Sequence, residues 1–330
     1  MKIWYGLSDI PADFNASVVT IGVFDGIHIG HRNLISQAVA DGQRRGVPTV
    51  LMTFSPHPMA VFAPDKAPVS LISDAQCAEI AAELGVDYFL IVPFDRDFAA
   101  MEPQHFVADI LATKLAAQAV YVGQNFTYGA KAAGTSETLV ADGSRLGIAV
   151  HIADLIQLDG ARVSSTRVRQ ALAAGDVAEA RRCLGRPYRV CGEVIRGQGR
   201  GGAQLGFPTA NIDFSAELAV PADGVYAGWF TATSGNGETS AEVEGDMEFG
   251  IAYPAAISVG TNVTFEATER TVEAYVIGKN ADLYGAQGCI EFIEHIRGME
   301  KFDGIEALVA QMKQDVAEAT EILDSDRRSW

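Results

Sequence analysis

Apolar and polar residues follow two different periods along the first half of the chain. Short apolar or β-branched runs, spaced as strands, are separated by longer segments with helical spacing. This pattern predicts strands at 18–23, 49–54, 88–92, 119–122 and 149–155, and helices at 33–45, 74–84, 103–115, 136–146 and 165–174. Regular alternation of strand and helix is typical of a parallel sheet covered by helices, in which ligands bind at the carboxyl ends of the strands.

The pattern changes near Gly185, where the helical segments stop. Short alternating runs separated by glycine and proline follow, at 188–195, 209–212, 224–231, 255–259 and 271–277. Runs of this kind predict an antiparallel β-barrel. The segment 304–323 has one apolar stripe at helical spacing, which predicts a helix packed on the barrel. We therefore predict two domains, 1–185 and 186–330.

Composition narrows the class of protein. Hydrophobic residues make up 48% of the chain and charged residues 20%, as in globular proteins. The sequence has no run of about 18 apolar residues and no apolar leader, so we expect a cytoplasmic protein without a membrane partner. The cysteines are scattered and form no Cys-x-x-Cys pair, so we expect free thiols.

The net charge of −17 argues against a nucleic-acid partner, because phosphate backbones are bound through basic surfaces. An enzyme of anionic nucleotides with this charge needs a site that is locally positive. Screening over about 10 Å at ordinary salt makes such a site feasible. The sequence leaves open whether the chain forms a homo-oligomer.

The decapeptide GVFDGIHIGH, at 22–31, lies between a predicted strand and a predicted helix. A strand, a glycine-containing turn and a helix together present backbone N–H groups and a helix dipole to a phosphate. His28 and His31 are about one helical turn apart and can both donate hydrogen bonds to phosphate oxygens. Gly22 and Phe24 belong to the same turn. This element resembles the signature of nucleotidylyltransferases and class I aminoacyl-tRNA synthetases.

Three further segments also follow predicted strands or precede a helix. TFSPHP, at 53–58, is a stiff turn next to aromatic residues, which suits a flat apolar ligand, and GQNFTYG lies at 123–129. The segment RVSSTRVR, at 162–169, leads into a helix and combines arginines, hydroxyls and backbone donors in a second phosphate cradle. Its candidate ligands are Arg162, Ser164, Ser165, Thr166 and Arg169.

Together these motifs resemble the adenylyltransferase half of the bacterial FAD synthetase family, whose members are bifunctional riboflavin kinases and FMN adenylyltransferases. The resemblance implies an α/β nucleotidylyltransferase-like (Rossmann-like) first domain with ATP as co-substrate and Mg²⁺ between the phosphates. It implies that His28 and His31 contact the ATP phosphates and that Asn125 helps hold the reacting groups. The candidate flavin contacts are Pro56, His57, Pro58, Phe62, Phe126 and Tyr128.

The second domain carries motifs that resemble the riboflavin kinase half of the same family. The glycine-rich segment with Gly197, Gly199 and Gly201 is followed by no helix, so it fits a flap over phosphates better than a dinucleotide fingerprint. The motif PTAN, at 208–211, resembles that of riboflavin kinases, which implies that Thr209 and Asn211 bind Mg²⁺ and the ATP phosphates.

The segment 270–276 alternates so that Thr271, Glu273 and Tyr275 share one strand face. Riboflavin offers a neutral hydroxyl as nucleophile, so a general base helps its phosphorylation. By position alone Glu273 fits a solvated surface residue, whereas the resemblance implies that it is the catalytic base. The whole pattern implies an enzyme that converts riboflavin to FMN and then to FAD.

Three positions depart from the family pattern. Asn125 and Thr127 stand where many members have aspartate and arginine, and Val263 stands where the family has proline. Two alternatives therefore stay open. The first is an FMN adenylyltransferase with a flavin-binding but kinase-inactive β domain, and the second is a non-catalytic flavin-binding regulator.

Overall fold

The computed structural model describes residues 1–196, 206–234, 243–263 and 268–327. The chain divides into two compact units, Met1–Ser165 and Thr166–Trp330. The boundary that the sequence predicts, at residue 185, lies within the second unit and stays a prediction.

The first unit is built on a parallel sheet, as the alternation of strands and helices predicts. Its strands are β1 (Lys2–Tyr5), β2 (Ser17–Ile21), β3 (Thr49–Ser55), β4 (Tyr88–Pro93), β5 (Ala117–Gly123), β6 (Thr127–Tyr128), β7 (Gly134–Thr135), β8 (Ala149–Ala153), β9 (Gln157–Leu158) and β10 (Ala161–Arg162). The main sheet has the order β1-β4-β3-β2-β5-β8, and its neighbours are parallel. The pairs β6–β7 and β9–β10 are short antiparallel hairpins.

The helices of this unit cover both faces of the sheet. They are α1 (Ile29–Arg45), α2 (Pro58–Phe62), α3 (Asp74–Glu83), α4 (Arg96–Ala99), α5 (Pro103–His105), a π-helix (Phe106–Lys114), α6 (Ser136–Arg145) and the 3-10 turns Pro64–Lys66 and Ala130–Ala132. Two predicted helices differ in detail. The helix predicted at 33–45 begins at Ile29 because His28 caps it, and the one predicted at 103–115 is a short α-helix followed by the π-helix.

Burial on both faces explains why the central strands are continuously apolar. Along β2, Val19 and Ile21 pack into one core cluster, whereas Val18 packs into the other, on the opposite face. Burying each such aliphatic side chain stabilises the fold by about 1.5–3 kcal/mol. The two cores hold the carboxyl edge of the sheet as a rigid platform for the loops that follow the strands.

The second unit contains the predicted antiparallel barrel. Its strands are β11 (Tyr188–Ile195), β12 (Ala210–Asp213), β13 (Gly224–Thr233), β14 (Glu244–Gly245), β15 (Ala252–Val263), β16 (Thr268–Val276), β17 (Ala281–Asp282) and β18 (Gln287–Arg297). The closed barrel has the order β11-β12-β16-β15-β13-β18. The sequence analysis missed β18, although Gly288, Ile290 and Phe292 alternate inward along it.

The helices of the second unit are α7 (Ser165–Ala173), whose first residue belongs to the first unit, α8 (Val177–Leu184) and α9 (Ile305–Arg327). The C-terminal helix α9 packs on the barrel, as its apolar stripe predicts. Two ion pairs fix it there. Arg297 of β18 donates to both carboxylate oxygens of Asp315, at 2.8 and 2.7 Å. Asp326 accepts from Arg181 of α8 at 2.7 Å and from the indole N–H of Trp229 at 3.3 Å.

The expectation of free thiols is wrong for two of the four cysteines. Cys191 of β11 and Cys289 of β18 form a disulfide, while Cys77 and Cys183 are buried and not part of a disulfide. The sequence did not indicate this pair because the two residues are 98 positions apart and only the barrel register brings them together. Within the described ranges, no helix is both long and apolar enough to cross a membrane.

Candidate active sites

Three of the predicted motifs leave the carboxyl ends of neighbouring strands in the first unit. The histidine motif follows β2, the TFSPHP turn ends β3, and the GQNFTYG segment follows β5. Because β3, β2 and β5 are adjacent and parallel, these loops lie at one edge of the sheet. The chain order also reverses between β2 and β5, and such a switch point is where open α/β sheets bind ligands.

His28 and His31 are packed together at the start of helix α1. His28 is the N-cap residue, and its Nδ1 accepts the backbone N–H of His31 at 3.3 Å. Its proton therefore lies on Nε2, which makes that atom a hydrogen-bond donor. The two imidazole rings are stacked, with centroids 3.7 Å apart. The helix start thus presents an imidazole N–H beside its own backbone donors, as an anion site requires.

Two neighbours fix these rings. The ring of Phe24 is buried and meets that of His31 edge-on, with centroids 5.3 Å apart. Gly30 lies under His28, since a Cβ atom added at this position would lie 3.0 Å from Cε1 of His28. The glycine of the His-x-Gly-His motif therefore leaves room for the imidazole. Gly22 is less constrained, because a Cβ atom there would make only ordinary contacts, 3.5 Å or more, with the Phe24 ring.

Burial lowers the pKa of His31 well below its usual value, and His28, whenever its ring is protonated, and Arg162 lower it further. His31 is therefore uncharged at neutral pH. Its Nδ1 is buried without a hydrogen-bond partner among the described residues. An arriving phosphate would counteract the repulsion from His28 and Arg162, because a nearby negative charge favours the charged imidazole.

The predicted second phosphate cradle is partly tied to the histidine loop. The hydroxyl of Ser165 donates to the main-chain carbonyl of Asp25 at 2.8 Å, and the carboxylate of Asp25 accepts the N–H of Leu71 at 2.7 Å. Ser165 therefore positions the loop. Arg162 is near enough to His31 to affect its pKa.

The other members of the predicted cradle are placed as follows. Ser164 precedes helix α7, and Thr166 and Arg169 lie on it, beyond the boundary with the second unit. Asn125 is exposed in the loop after β5.

Aromatic rings connect the two groups of predicted flavin contacts. Phe62 lies 6.0 Å from Phe94, and Phe126 stacks on Tyr128 with centroids 5.7 Å apart. Between them, Phe94 lies 5.8 Å from Phe98, which lies 6.4 Å from Phe106, whose ring is 5.4 Å from Tyr128. The sequence analysis did not single out these three linking phenylalanines. Phe106 and Tyr128 lie in the buried core, whereas the other four rings stay at least partly exposed. The exposed rings form an aromatic wall that a flat ligand could contact.

The stiff turn between these rings is held by a hydrogen bond from its backbone to the His57 side chain. His57 caps helix α2, and its Nδ1 accepts the N–H of Met59 at 3.1 Å. Pro56 and Pro58 flank it, and Pro58 is the first residue of the helix. The turn therefore presents a fixed surface at the end of β3.

In the second unit, three predicted kinase residues come together on the outer face of the barrel. The backbone register pairs Asn211 of β12 with Glu273 of β16. The hydroxyl of Thr209 donates to Oε2 of Glu273 at 3.2 Å, and Nδ2 of Asn211 donates to the carbonyl of Thr209 at 3.4 Å. Burial alternates along β16, which confirms that Thr271, Glu273 and Tyr275 share the outer face.

Comparisons with known proteins agree with this geometry. A model of the FAD synthetase family matches residues 10–167, and a model of the riboflavin kinase family matches residues 184–323. The bifunctional riboflavin kinase/FMN adenylyltransferase of Escherichia coli (strain K12) is 34% identical over 97% of both chains. The chain belongs to this bifunctional family. It is a transferase that combines an FMN adenylyltransferase part with a riboflavin kinase part.

Two further relatives extend the likeness. The enzyme of the same name from Bacillus subtilis (strain 168) is 33% identical and covers 94% of both chains. A solved structure described as a macrolide-efflux protein from Streptococcus pneumoniae has a TM-score of 0.83 and 31% identity, and the match covers 96% of this chain and 97% of that one. The architecture of an α/β unit followed by a β-barrel is therefore shared along nearly the whole chain.

The strand pairing also reveals a residue that was not predicted from the sequence. Ser258 of β15 lies directly opposite Glu273, on the strand next to β16, and is half-buried. Directly opposed residues of an antiparallel pair have side chains about 4.5–5.5 Å apart on one face. The alternation along β15 could have indicated its outward direction, but the strand pairing was needed to place it beside Glu273.

The metal ligands proposed from the sequence can be judged by their chemistry. Among the described residues, no three His, Cys, Asp or Glu side chains gather where they could hold a metal ion. Thr209 and Asn211 instead offer a hydroxyl and an amide oxygen, and Mg²⁺ prefers oxygen ligands and keeps several waters and phosphates around it. The bond from Nδ2 of Asn211 to Thr209 orients the amide so that Oδ1 is available. The residues present therefore fit the ion.

Gly197, Gly199 and Gly201, the predicted phosphate flap, lie outside the described residues. The side chain of Val263, which departs from the family proline, also lies outside them, although its backbone pairs with Thr268.

Proposed function

We propose that the first unit adenylylates FMN at the start of helix α1. The stacked pair His28 and His31, held by the N-cap geometry, is the observation that carries this assignment. The phosphate of FMN is already an anion and needs no general base to attack the α-phosphorus of ATP. The work of the site is alignment and charge stabilisation, which imidazole N–H groups and helix-start donors supply.

The aromatic wall supports the position of the flavin in this reaction. The rings from Phe62 to Phe126 lie on the short helices and loops that follow β3, β4 and β5, at the same edge of the sheet as the histidines. An isoalloxazine ring placed on this wall would direct its phosphate along the edge. Asn125, exposed after β5, is placed to bind the reacting groups there.

We propose that the second unit phosphorylates riboflavin with Glu273 as the general base. The contact between Thr209 and Glu273 carries this assignment, because it joins the predicted base to a predicted phosphate ligand. Glu273 accepts the proton of the riboflavin hydroxyl as that oxygen attacks the γ-phosphorus of ATP. Thr209 and Asn211 hold the phosphates together with Mg²⁺, which supplies charge neutralisation when bound.

Three other proposals rest on the sequence. The net charge of −17 supports the absence of a nucleic-acid partner, and ATP, riboflavin, FMN and FAD are the small molecules that we assign to the sites. We also propose a cytoplasmic location, and sedimentation would determine whether the chain is a monomer or a homo-oligomer.

Incubating the protein with riboflavin, ATP and Mg²⁺ and separating the flavins by chromatography tests the two proposed reactions. We expect FMN to form first and FAD to follow. FMN as the only product would contradict the adenylyltransferase assignment, and FAD formed only when FMN is supplied would contradict the kinase assignment.

Replacing Gly30 by alanine is expected to slow FAD formation by about 10-fold to 100-fold. The added Cβ atom would lie 3.0 Å from the His28 ring, and moving a reacting group by about 1 Å can have an effect of this size. FMN formation should not change. Ser36→Ala, at an exposed position of the same helix, is the matched control. Equal rates for the two variants in an assay of FMN adenylylation would show that the position of His28 is unimportant.

Helix α8 is expected to be necessary for a stable kinase fragment. Its residues Val177, Ala180, Cys183 and Leu184 are fully buried, and Arg181 binds Asp326 of α9. Losing these contacts removes several kcal/mol, and about 1 kcal/mol shifts the unfolding midpoint of a domain of this size by 2–4 °C. A fragment that begins at residue 185 should therefore unfold at least about 10 °C below one that begins at residue 166.

Thermal unfolding followed by circular dichroism measures this difference, and riboflavin phosphorylation by each fragment gives the functional readout. The longer fragment should phosphorylate riboflavin and make no FAD. Equal midpoints for the two fragments would show that α8 contributes nothing to the barrel, in favour of the boundary at residue 185.

A further inference from the structure

The disulfide between Cys191 and Cys289 joins two facing residues of the barrel ladder. Their Cα atoms are 4.1 Å apart, close to the spacing of about 4.5 Å that any non-hydrogen-bonded antiparallel pair has. Backbone pairing continues on both sides, from Val190 with Ile290 to Gly192 with Gly288. The ladder therefore holds the two cysteines side by side, and the bond can open or close without a change of register.

Both sulfur atoms lie on the outer face of the barrel. Val190 and Ile290, the neighbouring pair along the strands, are completely buried, so the cysteines point the other way and are half-buried. Arg189 with Glu291 and Glu193 with Gln287 flank them on the same face. A polar, partly exposed surface gives small thiols access to the bond.

The two remaining cysteines differ in this respect. Cys77 and Cys183 are buried. Burial, together with the nearby carboxylate of Glu179, raises the pKa of the Cys183 thiol to about 11. Thiolates, not thiols, react with disulfides, so Cys183 is unreactive at neutral pH. Thiols can therefore reach the half-buried pair Cys191 and Cys289, whereas the other two cysteines are buried.

We propose that Cys191 and Cys289 form a reversible dithiol–disulfide site that adjusts the stability of the second unit to the thiol redox state around the protein. Oxidation begins when one thiolate attacks a low-molecular-weight disulfide such as oxidised glutathione, which releases one glutathione thiolate. The second cysteine thiolate then attacks the mixed disulfide and releases the second. Two electrons pass to the glutathione, and the two cysteine protons go to the leaving thiolates.

The disulfide would change the stability of the second unit rather than the rate of riboflavin phosphorylation. Strand β11 pairs with β18 on one side and with β12, which carries Asn211, on the other. A bond that closes a loop of this length limits the unfolded chain and is expected to raise the unfolding midpoint by about 5–15 °C. Asn211 pairs with Ile195, four residues along β11 from Cys191, so riboflavin phosphorylation at 25 °C should stay within about two-fold.

The test uses the full-length protein equilibrated in glutathione buffers of different reduced-to-oxidised ratios. Alkylation of the native protein, followed by mass spectrometry, counts the free thiols, and calorimetry gives the unfolding midpoints. Reducing buffers should make Cys191 and Cys289 available for alkylation and lower one unfolding midpoint by about 5–15 °C. Oxidised glutathione should restore the disulfide and the original midpoint. Cys191→Ser and Cys289→Ser should each abolish the shift, whereas Cys183→Ser should keep it.

Three results would overturn the proposal. They are cysteines that stay reduced in every buffer, a bond that no reducing buffer opens below the unfolding temperature, and a midpoint shift that persists in Cys289→Ser. None of these readouts depends on which reaction the unit catalyses, so they separate this site from the kinase assignment.

Discussion

Replacing Glu273 by glutamine is expected to lower riboflavin phosphorylation by about 10²–10⁴-fold, the usual contribution of a general base. Glutamine keeps the shape of the side chain and can still accept the hydroxyl of Thr209, but it cannot take the proton of the riboflavin hydroxyl. Riboflavin binding should change far less than turnover. Rates of FMN formation and riboflavin affinity, measured on the full-length variant, provide the comparison.

Glu294→Gln is the matched control, because Glu294 is an exposed glutamate of strand β18 in the same barrel. A surface change of this kind is usually worth less than about 0.5 kcal/mol, so its turnover should stay within about two-fold. Near-normal FMN formation by Glu273→Gln would reject this residue as the base. Adenylylation of supplied FMN should persist in both variants, since its nucleophile is already ionised.

Removing the imidazole of His28 or His31 is expected to lower FAD formation by about 10²–10³-fold, because in the proposed reaction each imidazole donates to a phosphate whose charge grows in the transition state. His28→Asn is the sharper variant at the first position. Asparagine is a preferred N-cap residue, so it can replace the capping role of Nδ1 while removing the donor at Nε2. His31→Ala tests the second ring. Formation of FMN should be unaffected in both.

His105→Ala, at an exposed histidine of the first unit, should leave FAD formation unchanged. If His28→Asn and His31→Ala together made FAD at the normal rate, the motif would have only a structural role. If they lost FMN formation as well, the change would have damaged more than the first site.

The strands and loops of the first unit could be predicted because each pattern there is local. A buried parallel strand is continuously apolar, and the motif loops directly follow β2, β3 and β5. The order of the strands is not local, so only the structure shows that these loops share one edge. Similarly, the motif indicates that His28 is a candidate phosphate ligand. Its capping hydrogen bond depends on backbone geometry and could not be predicted, and this bond is why α1 begins at Ile29.

Other features depend on contacts between distant parts of the chain. The linking rings Phe94, Phe98 and Phe106 all lie between β4 and β5 and look like ordinary core residues in the sequence. Only the fold brings them between the rings of the neighbouring segments. The disulfide partners are set by the register of β11 on β18, and β18 itself was overlooked although its residues alternate. Contacts of α8 with α9 were not predictable either, because the ion pair from Arg181 spans most of the second unit.

One chain should carry two transferase sites that work independently, and mixing two full-length variants tests this. Supplied with riboflavin, ATP and Mg²⁺, His28→Asn should accumulate FMN, and Glu273→Gln should leave riboflavin unchanged. A mixture of the two full-length variants should make FAD, because FMN released by the first is adenylylated by the second. A mixture that makes no FAD, or either variant losing both half-reactions, would contradict the account.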